Sequence, residues 1–180
     1  MKHMLIALIS AVLLLTVFII NKPAKLAQPQ KEAESVDHIY ASWNTMEFDK
    51  CVAAWLIVRF IDKNARFVFY PPETEIRQGV LFDVPGADWS RKHRKCTSQC
   101  ILESIDKPDL AIEKIVSFAS KVELNFWQLE YWPEAQECFY SVKEIMDKTP
   151  NLGECFEKTA LYFDRLYNDF KKEAEPDNNI

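Results

Sequence analysis

Residues 48–89 read FDKCVAAWLIVRFIDKNARFVFYPPETEIRQGVLFDVPGADW, and the fold turns on them. Phe48, Val52, Trp55, Leu56, Arg59 and Phe60 recur at helical spacing, which gives one apolar helix face. The pattern then changes. RFVFY at 66–70 and VLF at 80–82 are short strand-like runs closed by Pro or Asp. One amphipathic helix laid on a small sheet is the simplest arrangement that buries both apolar sets.

Upstream, HIYASW at 38–43 alternates weakly as an opening strand. Asn44 or Thr45 is placed to cap the helix, with Glu47 three residues after Asn44 as a capping-box partner. Downstream, Thr97 is the expected N-cap of a short helix to about Ile105, and Pro108 the first residue of the next. Leu110, Ala111, Lys114, Ile115, Phe118 and Ala119 form its stripe. Residues 122–132 are aromatic-rich without a clear period, and Pro133 opens another helix whose apolar face is Ala135, Cys138, Phe139, Val142, Ile145 and Met146. Cys155, Phe156, Thr159, Phe163, Leu166, Tyr167 and Phe170 mark a last long helix. The expected fold is α+β: a mostly helical single domain of about five helices with a small two- to three-stranded sheet, preceded by one hydrophobic N-terminal helix.

At 180 residues the chain has room for one domain with a sizeable core. Its net charge is −5, and the first 27 residues carry Lys2, Lys22 and Lys25 but no acid, so the remainder is more acidic still. No nucleic-acid partner is expected of such a balance. Residues 4–20, MLIALISAVLLLTVFII, are free of charge and make residues 1–20 a signal peptide or membrane anchor. The exit lacks a small-residue cleavage site, because Lys22 and Lys25 stand three residues before the junctions; an uncleaved anchor is the favoured reading. The lysines after the span would hold the domain in the cytosol by a strict count. A short N-terminal span with a basic first residue instead exports the domain behind it. Residues 21–37 read as a flexible linker and residues 175–180 as a disordered tail. With three glycines and no Gly-rich phosphate loop, a dinucleotide-binding fold is excluded; G-x-S-x-G, H-E-x-x-H and C-x-x-C are also absent.

The most unusual local feature is Arg91-Lys92-His93-Arg94-Lys95-Cys96-Thr97, a basic run leading into a thiol at an expected helix start. Free backbone N–H groups and the positive end of the helix dipole favour an anion there, and arginines add paired donors. The same field would lower the Cys96 pKa and favour the reactive thiolate. A solvated basic loop is the plain alternative. His93, Cys96 and Cys100 form a partial metal set whose fourth ligand, Cys51 or Asp83, would come from elsewhere; the flanking cations oppose a metal ion. Arg59, on the inward face, either binds ligand or locks Asp83, or is a snorkelling arginine with a structural role; the last is favoured. Asp83 in F-D-V-P-G serves as a ligand or base, or as an Asx-type turn residue. Asp49 near a helix start is accounted for by the dipole. Phe126, Trp127, Tyr131 and Trp132 read as core and rim rather than a partner surface.

The five cysteines are 51, 96, 100, 138 and 155. Cys138 and Cys155 are excluded as a pair: a hairpin turning near Pro150 separates them by about 10 Å at the helical rise, beyond disulfide reach. Cys51 with Cys96 or Cys100 is the better candidate bridge.

DKCVAAWLIVRFID, ARFVFYPP and FDVPGA together resemble the chromate-resistance exported protein family, a domain that also forms the C-terminal half of bacterial chromate-resistance regulators. The likeness runs from about Trp43 to Tyr167, within a domain placed at residues 38–174. The resemblance implies a membrane-tethered or exported domain on the periplasmic side of the inner membrane, or free in the periplasm. It would bind or sense chromate or a similar oxyanion through Arg91, His93, Arg94, Lys95 and Cys96, with Arg59 and Asp83 as further ligand-binding candidates. A membrane transporter is the implied partner, and no cofactor beyond a possible metal is implied. The alternatives are a thiol-dependent reductase with Cys96 attacking and Cys100 resolving, and a non-catalytic interaction protein. The chain also departs from the family: Ala53-Ala54 stands where a small or thiol residue precedes Pro, Ser117 and Ser120 stand where acids follow an Ile-Val run, and the His–Cys spacing before Cys96 is altered. The chain reads as a divergent member.

Overall fold

The computed structural model describes residues 38–174. The expected N-terminal helix, the linker and the tail lie outside the described residues. Within them the order is β1 (Ile39–Trp43), α1 (Phe48–Leu56) running on as a π-helical turn (Ile57–Ile61), β2 (Arg66–Tyr70), β3 (Val80–Leu81), α2 (Thr97–Leu102), α3 (Leu110–Asn125), a 3-10 turn (Phe126–Tyr131), α4 (Pro133–Lys148) and α5 (Leu152–Ala174). The sheet has the order β2-β1-β3, and both outer strands run parallel to β1, with Ile39 opposite Arg66 and Tyr40 opposite Val80. Parallel neighbours require a crossover, and α1 supplies it between β1 and β2. The fold is α+β with five α-helices and a three-stranded sheet, as the periodicities require.

The expected amphipathic helix is in fact buried on every side. All nine residues of α1 are buried, including Asp49 and Lys50. Helices α2, α3, α4 and α5 pack around it, so a single apolar face would not have sufficed. Trp55 is wedged among Phe60, Phe163 and Tyr167, with ring centroids 5.2, 5.7 and 6.0 Å away. Phe48 meets Phe139 and Phe163 at 5.8 and 6.3 Å. Phe67 and Phe69 of β2 set their rings edge-on to Phe156 of α5 at 5.4 and 5.3 Å. The buried rings among these, Phe48, Trp55, Phe156 and Phe163, contribute about 1.5–3 kcal/mol each.

Several boundaries differ from the sequence expectation. The N-cap of α1 is Glu47 and makes no side-chain cap bond. Thr45 instead accepts a hydrogen bond from Lys50 Nζ, so burying that ammonium takes the hydroxyl away from capping. The N-cap of α2 is Cys96 rather than Thr97, whose hydroxyl is turned to Asp83. Helix α3 starts after Asp109, which accepts from Ile112 N at 3.0 Å, rather than at Pro108. The expected strand at 80–82 shortens to two residues: Phe82 N still donates to Ala41 O at 3.1 Å, but its bridge partner is Trp89. The 3-10 turn leaves Phe126, Trp127 and Tyr131 exposed, with Leu129 buried, so the aromatic cluster is mostly surface.

Candidate functional site

Strand β3 ends at Leu81, and the chain crosses residues 82–96 to reach α2. Asp83 has φ 52°, a left-handed value uncommon outside glycine, and its amide donates to Trp89 O at 2.7 Å. That bond closes the loop carrying Gly86, which also has positive φ. Residues 92–95 form a tight turn: Lys92 N donates to Lys95 O at 3.0 Å and Lys95 N to Lys92 O at 3.1 Å. His93 and Arg94 sit at its tip, with Arg94 at φ 69°. All of residues 91–95 are exposed, and Cys96 is the first buried residue after them.

The start of α2 already holds an anion from the chain itself. Asp49 of α1 accepts from Thr97 N at 2.6 Å and Ser98 N at 3.1 Å. Its carboxylate therefore takes the amides that an oxyanion would use. Burial pushes the Asp49 pKa up, against these hydrogen bonds. Beside it, fully buried Lys50 donates to Trp43 O at 2.8 Å and lies 3.3 Å from Asp83 Oδ2. Asp83 Oδ1 accepts from Thr97 Oγ1 at 2.6 Å. The network joins β1, α1, the loop and α2 with its buried charges partnered, as a low-dielectric interior demands.

Cys96 sits inside this network, with 0% of its surface exposed. Its Sγ lies 3.3 Å from Ser98 Oγ and 3.7 Å from Ser120 Oγ of α3, and its amide donates to Gln99 Oε1 at 3.1 Å. Burial, reinforced by the Asp49 carboxylate, pushes the thiol up to about 11. The expected depression is thus reversed: the basic side chains point to solvent while a carboxylate is the nearer charge. Cys100 donates its thiol to Ser90 O at 3.3 Å, and burial raises its pKa too.

The sequence-named cations divide into two groups. Arg91 pairs with Glu123 of α3 and Lys95 with Glu103. Lys92, His93 and Arg94 have no ion-pair or hydrogen-bond partner for their side chains among the described residues. Arg59 takes no part in the site. It pairs with Asp164 of α5 through Nε and Nη2 at 2.9 and 2.8 Å, so Asp83 is held by Lys50 instead. Among the described residues no group of three His, Cys, Asp or Glu side chains is arranged to hold a metal ion, and His93, Cys96 and Cys100 do not converge.

The anticipated bridge from Cys51 to Cys96 or Cys100 is not formed. All five thiols are free and buried, and Cys51 lies against Cys155 instead. Cys138 meets Tyr162, in keeping with its exclusion as a partner for Cys155. Four residues of the network, Lys50, Thr97, Ser120 and Glu123, are not legible as site residues from spacing. The adjacent charged pair Asp49-Lys50 in an otherwise apolar helical run is the local signal of a buried charge network.

The family model for the ChrB C-terminal domain matches residues 40–170. The chain belongs to that family. No curated protein and no solved structure matches it. The ChrB C-terminal domain match spans every element from β1 to most of α5, so the described fold is one chromate-resistance-type domain. The structure also joins two departures that sequence spacing left separate. Ser120, where acids were expected to follow an Ile-Val run, lies against Cys96, next to the altered basic segment.

Proposed function

We propose that this chain is a membrane-tethered, non-catalytic binding module of the chromate-resistance type, which takes a tetrahedral oxyanion on the outer turn of residues 91–95. The observation that carries this reading is the turn itself. Lys92, His93 and Arg94 are exposed on a backbone pinned by two hydrogen bonds, without acidic partners among the described residues, on an otherwise acidic chain. Such a turn offers charge and paired donors to an anion without breaking an existing ion pair. The inner position at α2 is taken by Asp49, which shifts the binding point outward from Cys96.

The reductase reading is the poorer one. A thiol at about 11 with no exposed surface is protonated at neutral pH and closed to a substrate. An interaction role draws on a different observation, the exposed rings of Phe126, Trp127, Tyr131 and Tyr140. The tether is the apolar run of residues 4–20, with the domain on the periplasmic side, where a membrane transporter is the partner to which an occupied turn would signal.

The test is calorimetric titration of the chain with chromate and with sulfate. Saturable binding is expected, weakened about tenfold or more by Arg94→Ala, equivalent to about 1.4 kcal/mol, and unchanged by Cys96→Ala. Silence toward both anions in a folded sample would remove the oxyanion reading and leave the aromatic surface as the functional element. Protease protection of the domain in right-side-out vesicles, with cleavage only after lysis, would refute the periplasmic placement.

A further inference from the structure

The two edges of the sheet differ. The β3 edge is closed: the strand is two residues long, and Phe82 directly after it bridges Trp89. The β2 edge is open. Its five residues, Arg66-Phe67-Val68-Phe69-Tyr70, contain no proline or lysine, and of the described elements only β1 runs alongside them. Arg66 N donates to His38 O at 2.7 Å, and Tyr70 O accepts from Asn44 N at 2.8 Å, so the backbone groups of Arg66, Val68 and Tyr70 are turned to β1. In a parallel ladder the alternate residues face the other way. The N–H and C=O groups of Phe67 and Phe69 therefore point out of the sheet, and they have no hydrogen-bond partner among the described residues. Natural folds protect such an edge with short strands, bulges, prolines or charges, and β2 has only its leading Arg66.

We propose that the β2 edge is a homodimer interface, at which β2 of a second copy of this chain pairs antiparallel about a two-fold axis at Val68. The strand is self-complementary in that register. Phe67 falls opposite Phe69 of the second copy, so the outward N–H and C=O groups of each meet those of the other. Val68 falls opposite itself and Arg66 opposite Tyr70, so no like charges face one another. A one-residue slip sets Phe67 against Val68, whose groups already bond β1, and forfeits the new ladder. A two-residue slip leaves part of each strand unpaired. The charges beyond the strand ends match as well. Lys63 precedes β2 and Glu73 follows it, both exposed and without an ion-pair partner among the described residues. Antiparallel pairing brings the basic end of each copy to the acidic end of the other.

Strand alternation places Phe67 and Phe69 on the helix side, where both rings meet Phe156, and Val68 on the opposite side. The helix side of β2 opens at its start into a groove of about 580 Å³. Ala65, Arg66 and Phe67 form one wall, and Gly153, Phe156 and Leu161 of α5 the other. Leu161 is exposed. The flank of the strand is thus open space with apolar walls, and pairing covers apolar surface as well as joining backbone. The two copies then share one continuous sheet, with both helical layers on the same side.

The test is cysteine cross-linking of the full chain in mild detergent, with the wild type, whose own thiols are all buried, as the control. Non-hydrogen-bonded partners across an antiparallel pair stand about 4.5 Å apart at Cα, within disulfide reach. Val68→Cys is therefore expected to give a covalent dimer under mild oxidation. Arg66→Cys and Tyr70→Cys should each stay unlinked alone and link when combined in one chain. Sedimentation of the wild type should give the mass of two chains. Val68→Lys sets like charges across the axis, on the side away from the helices, and should weaken association about tenfold or more, equivalent to about 1.4 kcal/mol. Arg66→Cys alone linking as readily as Val68→Cys would show collision rather than register and overturn the proposal. So would a wild type that sediments as a single chain, whether its Phe67 and Phe69 amides exchange freely or are protected by another segment of the chain. The cross-links are read without Val68→Lys, so they stand even if that variant fails to fold.

Discussion

Asp49 and an incoming anion would compete for the same two amides at the start of α2, and the carboxylate is covalently in place. That one residue turns an apparent anion pocket into a closed structural joint, and its charge also raises Cys96. The folded state holds the Cys96 proton more tightly than the unfolded chain, whose thiol titrates near 9. The thiol's contribution is then fully present below pH 9 and lost as pH rises toward about 11. Two pKa units amount to about 2–3 kcal/mol at most. Urea midpoints of the wild type should therefore fall more steeply between pH 9 and 11 than those of Cys96→Ala. Parallel curves would show that the thiol is not buried as described.

Among the secondary-structure elements, the end of α1 runs on as a π-helical turn. Asp62 N donates to Ile57 O at 2.7 Å, a five-residue span that widens the last turn. Arg59 on that turn and Trp55 four residues before it share one partner: both donate to Asp164 Oδ1 at 2.9 Å. The two left-handed glycines offer a sharper test. Gly79 has φ +84°, and a Cβ there would stand 2.8 Å from Ile39 Cγ2 and 2.9 Å from Ile39 O. Gly86 has φ +85° with nothing within 4 Å. Gly86→Ala should cost only the left-handed penalty of about 1–2 kcal/mol, and Gly79→Ala more, because backbone must also move. Chemical denaturation of both variants checks the order, and equal losses would contradict the close approach of β3 to β1.

Across the molecule, α5 closes the fold. It supplies Phe156 to β2, Phe163 to Trp55, Asp164 to Arg59, and Tyr167 to Asp109 at 2.7 Å. Although burial opposes it, the Arg59 and Trp55 hydrogen bonds hold Asp164 below its usual range. A depressed carboxylate stabilises the fold above its unfolded pKa and loses that contribution as pH falls through the folded value, here below about pH 4. Asp164→Asn should cost about 1–2 kcal/mol at pH 7, the scale of a partly exposed charged hydrogen-bond set. Its cost should shrink toward about pH 2–3. Thermal unfolding at both pH values would measure this, and a cost independent of pH would mean that the ion pair contributes nothing.

The number and order of the helices, the strand positions at 39–43 and 66–70, and the family are all legible in the chain alone. Those features depend on local periodicity, proline punctuation and short motifs, which neighbouring residues write without help from distant ones. The partner of each charged or thiol group is not legible in that way. Arg59 binds Asp164 rather than Asp83, Cys51 meets Cys155 rather than Cys96, and Asp49 fills the site that residues 91–97 advertise. These choices belong to the tertiary structure, because such pairings join residues some 48 to 105 positions apart. The burial of α1 on all sides, which fixes the desolvation of Asp49, Lys50 and Cys51, exists only once four other helices have closed around it.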